Sequence, residues 1–231
     1  MLKCQFHIHT KEDPLDLISY NAKQLIDHAK SKNFDVIAIT LHTEFFDNPD
    51  IKSYAKKKNI LLIPGIELSI GKQHVLVLNC DKEIENVKNF SELKIYKKQH
   101  KDCFIIAPHP YYPGNNCLHK SLEENLEIFD AIENSYCFTK NFSFNKKAKE
   151  FSDKKKLPFI ATSDCHIIKY LDQSYFLLDS KKETKHIFDS IRKNKYENIQ
   201  KPLWLFTVFK IIFLITSKEL IKKLFFKRKS N

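Results

Sequence analysis

The chain has 231 residues, of which 42% are hydrophobic, and only 3 glycines and 8 prolines, a composition typical of an ordered globular protein and not of a disordered chain. The formal net charge of +11 is unevenly distributed: residues 1–180 carry 25 Lys/Arg against 24 Asp/Glu, whereas residues 181–231 carry 14 against 4. Because phosphate-backbone binding requires clustered basic residues, the near-neutral body argues against a broad nucleic-acid-binding face.

Cysteine usage indicates a reducing compartment. The six cysteines, at positions 4, 80, 103, 117, 137 and 165, include no Cys-x-x-Cys pair. The first ten residues, MLKCQFHIHT, contain no apolar stretch of signal-peptide length. We therefore expect a cytoplasmic protein.

Short apolar runs alternate along the chain with longer, lysine-rich segments of helical periodicity. A first strand is predicted over QFHIH (5–9) and an amphipathic helix over 17–29, followed by strands at VIAIT, ILLIPGIEL, HVLVLN, CFIIAPHP, FDAIENS and PFIATSD. Runs such as VIAIT are continuously apolar, as in parallel strands covered on both faces. About seven strands precede residue 165, and SYFLL (174–178) is a weaker eighth. This pattern predicts an α/β fold, and the number of strands favours a closed barrel over an open sheet.

Residues able to bind a metal recur at the ends of these predicted strands. They are His7, His9, His42, Glu67, His74, His109, Asp164 and His166. His7 and His9 close the first strand and the others follow the carboxyl end of a strand, except His74, which opens one. Parallel α/β barrels build active sites at the carboxyl ends of several strands. His7 and His9 share one side of their predicted strand, about 6.6–7 Å apart. Each histidine alone could be a hydrogen-bonded residue at the edge of the core; together they predict a shared metal site.

These motifs resemble, in order, those of the PHP (polymerase and histidinol phosphatase) superfamily of metal-dependent phosphoesterases, over residues 3–179. The similar segments are FHIHT, AITLH, PGIE, HVLVL, APHP and SDCH. The resemblance implies a distorted (β/α)7 TIM-like barrel, here placed at residues 1–199, that holds two or three divalent metal ions. It also implies that Glu67 bridges two of the ions and that Glu67, Asp164 and His166 are the catalytic residues.

Three positions bear on how closely the chain follows the family pattern. Gln5 and Leu41 stand where the family often has aspartate, before the first and second histidine motifs. Asp13 is the best candidate for a further ligand to the third metal ion, with Asp16 or simple solvation of the loop as alternatives. The expected metal ligands are thus the eight strand-end residues and Asp13.

The chemistry of these ligands favours phosphoester hydrolysis. Imidazole with carboxylate suits zinc, manganese or iron better than magnesium or calcium. Two bridged ions can lower the pKa of a shared water from 15.7 toward about 7 and present hydroxide to a phosphorus atom. Residues 1–180 contain no arginine, so metals, lysines or backbone amides must hold the phosphate.

We therefore predict a phosphatase or phosphodiesterase that acts on a small phosphorylated substrate. Two other functions stay open: hydrolysis of a non-phosphate bond, and a catalytically idle metal-binding module recruited through its tail. The sequence does not indicate an oligomeric state.

The predicted tail, residues 200–231, is apolar and then basic. Residues 203–216, LWLFTVFKIIFLIT, include a single charge and are shorter than the roughly 20 residues of a membrane-spanning helix. The segment could be a last helix packed on the barrel, an interfacial membrane helix or a partner-binding helix. Because apolar residues surround nearly every side of this helix, packing on one barrel face would leave apolar surface uncovered. We predict that residues 203–229 bind an anionic membrane surface, which would make the protein peripheral at the inner face of the membrane.

Overall fold

A computed structural model describes residues 1–208; the larger part of the predicted tail helix, residues 209–231, lies outside the described residues. The strands are β1 (Leu2–Gln5), β2 (Val36–Ala38), β3 (Leu61–Ile63), β4 (Gly65–Ile70), β5 (Gln73–Leu78), β6 (Phe104–Ala107), β7 (Ala131–Ser135), β8 (Phe159–Thr162), β9 (Ser174–Leu178) and β10 (Tyr196–Gln200). The α-helices are α1 (Ala22–Ser31), α2 (Pro49–Lys57), α3 (Phe90–Gln99), α4 (Lys120–Glu124), α5 (Asn145–Lys155) and α6 (Thr184–Arg192). Short 3-10 helices cover Lys82–Asn86, Leu126–Ile128 and Ile168–Tyr170.

The predicted α/β fold is confirmed, but the closed TIM-like barrel is not. Within residues 1–208 the strands form two five-stranded sheets, with the orders β10-β9-β1-β2-β3 and β4-β5-β6-β7-β8. The segment LLIPGIEL, predicted as one strand, is divided by Pro64 into β3 and β4, which belong to different sheets. Proline lacks a backbone N–H and cannot donate to a strand ladder, which accounts for the break at this position.

Isolated backbone bridges join the two sheets where a barrel would need continuous ladders. Ile8 pairs with Cys165 at one junction, and His42 with Glu67 and Phe46 with Gly65 at the other. Four of these residues are predicted metal ligands or immediate neighbours of ligands. The junctions between the sheets are therefore the places where the predicted site lies.

The strand directions explain why His74 departs from the strand-end pattern. β5 runs antiparallel to both β4 and β6, whereas β6, β7 and β8 are mutually parallel. An antiparallel strand begins at the edge where its neighbour ends. The start of β5, which carries His74, consequently lies at the same edge as the end of β6 and the following His109.

Helix α1 begins five residues later than the sequence pattern predicted. Asn21 is its N-cap: its side chain accepts from the backbone N–H of Gln24, and the Gln24 side chain accepts from the N–H of Asn21. This capping box fixes the start of the helix. Leu17, assigned to the helix by its apolar character, precedes the cap and is exposed.

The interior is apolar and rich in phenylalanine. Phe6 contacts Phe176 edge-on with the ring centroids 5.0 Å apart, and Phe104 stacks on Phe188 at 4.7 Å. The cluster packs helix α6 against β1, β6 and β9. It therefore anchors the strand that leads into the first pair of histidines.

The described part of the predicted tail begins directly after β10. Leu203 is buried, and residues 205–208 are helical. None of the helices formed by residues 1–208 has the length and apolarity that a membrane span requires. The division of the chain at residues 199 and 200 remains a prediction.

Candidate metal centre

His7 and His9 follow strand β1 instead of lying on it, since the strand ends at Gln5. Between them, Ile8 forms the bridge with Cys165: the N–H of Cys165 donates to the His7 carbonyl at 3.0 Å, and the N–H of His9 donates to the Cys165 carbonyl at 3.2 Å. Both imidazoles are fully buried, with ring centroids 5.2 Å apart. The backbone bridge thus holds the pair together at the junction of the sheets.

Glu67 lies at the centre of the histidine cluster, with its side chain 1% exposed. Its Oε1 atom lies 2.9 Å from Nδ1 of His74, 3.3 Å from Nε2 of His7 and 3.4 Å from Nε2 of His109. Its Oε2 atom lies 3.1 Å from Nε2 of His42 and 3.2 Å from Nε2 of His9. The two carboxylate oxygens therefore face different sets of imidazoles. In contrast to the strand-end prediction, Glu67 lies within β4, opposite Leu76 of β5.

Asp164 and His166 approach the same cluster from the segment after β8. Asp164 Oδ1 lies 3.3 Å from His7 Nε2, 3.4 Å from His9 Nε2 and 3.3 Å from His166 Nδ1. His166 Nε2 lies 2.9 Å from Asp16 Oδ2. The eight strand-end residues of the sequence prediction are thus brought together in one place.

Asp13 lies behind the histidines, and Asp16 lies among the groups positioned to hold a metal. Asp13 Oδ2 accepts from Nδ1 of His9 at 2.9 Å and from Nδ1 and the backbone N–H of His42 at 3.0 and 2.9 Å. Asp16 groups instead with His9, His42 and His166. The sequence favoured Asp13 as the further ligand, whereas this geometry favours its alternative, Asp16.

Glu133, which the motif pattern does not include, orients two further site residues, His7 and His109. It is fully buried on β7, where Oε1 accepts from Nδ1 of His7 at 2.8 Å and from the hydroxyl of Thr162, and Oε2 accepts from the backbone N–H of His109 at 2.6 Å. A carboxylate that accepts from one imidazole nitrogen fixes the tautomer and directs the other nitrogen to a metal. The signal was available in the sequence as an acidic residue inside the apolar segment FDAIENS.

The geometry fits metal ions because buried polar atoms point into the cluster without a hydrogen-bond partner. These atoms are His7 Nε2, His9 Nε2 and Asp164 Oδ1. Unpartnered polar groups are costly in a protein interior. Three groups in the centre have ligand atoms close enough to share an ion: His7 with His9 and Asp164; His42 with Glu67 and His74; and His9 with Asp16, His42 and His166.

Two site residues adopt a backbone conformation that side chains disfavour. His109 has φ of 29° and Asp164 has φ of 40°, in the left-handed region. Non-glycine residues in such conformations persist only where their surroundings hold them, and they cluster at functional sites. The hydrogen bond from the His109 N–H to Glu133 is one such restraint.

The carboxylates and imidazoles strongly perturb one another's protonation. Burial lowers the pKa of His7, but Asp164, Glu67 and Glu133 outweigh it and raise that pKa to about 10. Burial and His166 lower the pKa of His9, but hydrogen bonds with carboxylates raise it to about 9. Burial raises the pKa of Glu67, yet the surrounding histidines hold it well below its usual range. Without metal, Glu67 thus remains ionised beside His7 and His9, whose raised pKa values favour their protonated forms.

Gln5 and Leu41, the two departures from the family pattern, are structural. The Gln5 side chain is fully buried; its Nε2 donates to the carbonyl of Ser174 at 2.6 Å, and its Oε1 accepts from the N–H of Ser163 at 3.1 Å. Gln5 therefore ties β1 to the residue before Asp164. Leu41 is buried in the apolar cluster around α1.

A cleft of about 230 Å³ opens onto the metal-capable groups. Beyond these groups it is lined by Tyr112, Pro113, Asn116, Cys117, Ser135, Tyr136 and Cys137. Among the described residues no lysine or arginine lines it. Its walls therefore offer aromatic and uncharged polar surface, and the charge of a bound phosphate would have to be met by the metal centre.

Comparison with known proteins agrees with this fold. The family model described as PHP-associated matches residues 142–196. An uncharacterized protein of Methanocaldococcus jannaschii, MJ1587, is 26% identical over 168 residues, which cover 66% of this chain and 95% of that protein.

Solved structures share the fold at low sequence identity. A two-domain protein of Bacteroides vulgatus, described as containing a predicted PHP-like metal-dependent phosphoesterase, matches 86% of this chain with a TM-score of 0.65 and 19% identity. This chain spans 64% of that protein, less than two thirds of its length. A lesion-specific endonuclease of Pyrococcus furiosus matches 84% of this chain and 55% of its own, with a TM-score of 0.54 and 15% identity.

Proposed function

We propose that this chain, which the PHP-associated family model matches over residues 142–196, is a metal-dependent phosphoesterase of the PHP superfamily that hydrolyses a small phosphate ester. The observation that carries the proposal is the position of Glu67. Its two oxygens face separate sets of imidazoles, three on one side and two on the other. This is the arrangement expected of a carboxylate shared between two metal ions.

The residues that would hold the ions are those of the three groups described above, with Asp16 in the place considered for Asp13. Bound divalent ions supply Lewis acidity, which neutralises the charge of a phosphate and makes bound water acidic near neutral pH. The mixture of imidazole and carboxylate supports zinc, manganese or iron, and the three groups support two or three ions.

The chain's own carboxylates prepare the histidines for this role. Asp13 accepts the Nδ1 protons of His9 and His42, and Glu133 accepts that of His7. When these imidazoles are neutral, the remaining proton of each ring lies on Nδ1. The Nε2 atoms of His7, His9 and His42, which face Glu67, are then free to bind metal. Asp164 and His166 lie at the cleft and, with Glu67, remain the proposed catalytic residues.

A small substrate is favoured over a nucleic acid. The structural relatives include an endonuclease, so the fold itself accommodates enzymes that act on nucleic acids. In this chain, however, residues 1–180 have 25 basic against 24 acidic side chains, and the described cleft wall has no lysine or arginine. A phosphate backbone would find few counter-charges beyond the metals.

The test is hydrolysis of p-nitrophenyl phosphate and bis-p-nitrophenyl phosphate by metal-loaded protein, with Mn²⁺, Zn²⁺ and Fe²⁺ supplied in turn. Glu67→Gln should bind at least one ion fewer and lose at least 100-fold in turnover. Glu127→Gln, on the exposed surface, is the matched control and should behave as wild type. Wild-type protein that hydrolyses neither ester with any of the three metals would refute the proposal, as would a Glu67 variant with full metal content and turnover.

A further inference from the structure

The chain after β10 packs on the rim of the metal cleft. The N–H of Leu203 donates to the carbonyl of Phe138 at 2.9 Å, and the buried Leu203 side chain packs in a cluster with Tyr136. Cys137, Tyr170 and Val208 pack against this cluster. Because Tyr136 and Cys137 also line the cleft, the start of the tail is adjacent to the proposed catalytic centre.

The residues next to this contact expose large apolar side chains. Trp204 is 85% exposed, Phe206 81% and Leu205 59%. Phe142, 56% exposed, belongs to the loop that receives Leu203, and its ring meets Phe144 edge-on at 4.6 Å. We call these four exposed residues, Phe142, Trp204, Leu205 and Phe206, the apolar rim. Clustered exposed apolar side chains of this size mark interaction surfaces.

Exposed lysines lie close in sequence to the residues of the contact around Leu203. The exposed lysines are Lys140, Lys169 and Lys201, which lie within three residues of Phe138, Tyr170 and Leu203, respectively. Leu203 joins these segments, because its side chain packs near Tyr170 and its N–H donates to the Phe138 carbonyl. The sequence beyond Val208 adds seven more basic residues: Lys210, Lys218, Lys222, Lys223, Lys227, Arg228 and Lys229. Exposed aromatic and aliphatic side chains flanked by lysines complement a membrane surface that carries anionic lipids.

Building on the proposed phosphoesterase activity, we infer that the apolar rim docks on an anionic membrane and that the substrate is the phosphoryl group of a membrane lipid. Docking would bring the mouth of the cleft close to the headgroups, because Tyr136 lines the cleft and also packs with Leu203, the residue before Trp204. The neutral, aromatic cleft wall suits a single phosphoryl group on a glycerol or similar alcohol. In the reaction, water oxygen forms a bond to phosphorus, the ester P–O bond breaks, and the leaving alcohol takes up a proton.

The experiment compares lipid and soluble forms of one headgroup, with full-length, metal-loaded protein. The lipid substrates are phosphatidate, a monoester, and phosphatidylglycerol, a diester, in phosphatidylcholine vesicles. Glycerol 3-phosphate and glycerophosphoglycerol are their soluble counterparts, and p-nitrophenyl esters report basal activity. We expect at least tenfold faster hydrolysis of one lipid than of its soluble counterpart, and co-flotation of the protein with phosphatidylglycerol vesicles.

The variant Trp204→Ser/Phe206→Ser should lose at least tenfold of the lipid hydrolysis and most of the flotation, while its hydrolysis of p-nitrophenyl esters stays within twofold of wild type. Ile95→Ser is the matched control, since Ile95 is 56% exposed on α3 and does not line the cleft. Equal hydrolysis of lipid and soluble headgroups, or a rim variant that matches Ile95→Ser on vesicles, would overturn the inference and leave the phosphoesterase proposal standing. If no phosphate ester is hydrolysed, the phosphoesterase proposal fails and the lipid-substrate inference fails with it; flotation then still decides whether the rim binds membranes.

Discussion

Glu133→Gln tests the role of a residue that would not bind the metal itself but that positions the metal-binding residues. The wild-type carboxylate accepts three hydrogen bonds, from His7 Nδ1, the backbone N–H of His109 and the hydroxyl of Thr162. Glutamine keeps the size of the side chain but replaces one oxygen by an NH₂ group. Since the imidazole N–H and the backbone N–H lie on different oxygens, either orientation of the amide sets a donor against a donor.

The expected loss of stability can be estimated from the one buried N–H that the variant leaves without an acceptor. One buried donor left without an acceptor costs about 1–3 kcal/mol in the free energy of unfolding. For a domain of this size each kcal/mol corresponds to roughly 2–4 °C in melting temperature, so we expect a decrease of about 2–12 °C. His7 also loses the partner that fixes its tautomer, for which metal affinity typically falls about 10–100-fold.

Two measurements on the same protein check these numbers. Differential scanning calorimetry of the metal-free variant gives the stability, and titration with Zn²⁺ against a competing chelator gives the affinity. Glu127→Gln serves again as the control, because its carboxylate is about half exposed and pairs only with Lys94 in the described structure. A Glu133 variant within 1 °C of wild type and within twofold in affinity would show that this buried carboxylate does not organise the site.

Two further predictions concern the same centre. Asp13→Asn should weaken metal binding about 10–100-fold, and excess metal should restore turnover. The reason is that Asp13 orients His9 and His42 but does not belong to the groups that could hold an ion. If excess metal does not restore turnover, Asp13 is a direct ligand. Zn²⁺ affinity should rise with pH between 6.5 and 9, by roughly tenfold per pH unit for each proton released on binding. The reason is that His7 and His9 have raised pKa values, so the metal must displace their protons. Equal affinities at pH 6.5 and 8.5 would contradict this prediction.

The sequence was most informative where residues able to bind a metal recur at the ends of predicted strands. Six of the eight predicted residues converge because they follow strands that end at one edge. His74 converges because β5 is reversed, and Glu67 reaches the site from within β4. Strand direction is not visible in a single apolar run, so the sequence showed His74 only as an exception. The break at Pro64 is visible in hindsight, but the choice of two sheets over a barrel depends on long-range pairing.

The residues that hold the ligands were harder to predict than the ligands themselves. Glu133 lies 126 positions from His7, so no local spacing relates the two. Asp13 and Asp16 occupy one loop, and only its folded path, with Asp13 Oδ1 accepting from the N–H of Asp16 at 3.0 Å, turns the first inward behind the histidines and the second toward His166. Sequence patterns report residue type and periodicity, whereas these roles depend on a turn within the loop and on contacts across the fold.

The incomplete closure of the sheets has a consequence for the site. A continuous ladder between β2 and β4 would pair all the backbone groups near His42 and Glu67. The structure instead has two isolated bridges at that junction, His42 with Glu67 and Phe46 with Gly65, and one at the other junction, Ile8 with Cys165. Two of these bridges lie at proposed ligands: His42 and Glu67 form one, and the other is flanked by His7 and His9 around Ile8 and by Asp164 and His166 around Cys165. The two sheets are therefore held together at these junctions by few backbone hydrogen bonds and by the carboxylate and imidazole groups that surround Glu67. Metal ions shared by these groups would link one sheet to the other, so metal loading should stabilise the junctions between the sheets as well as complete the site.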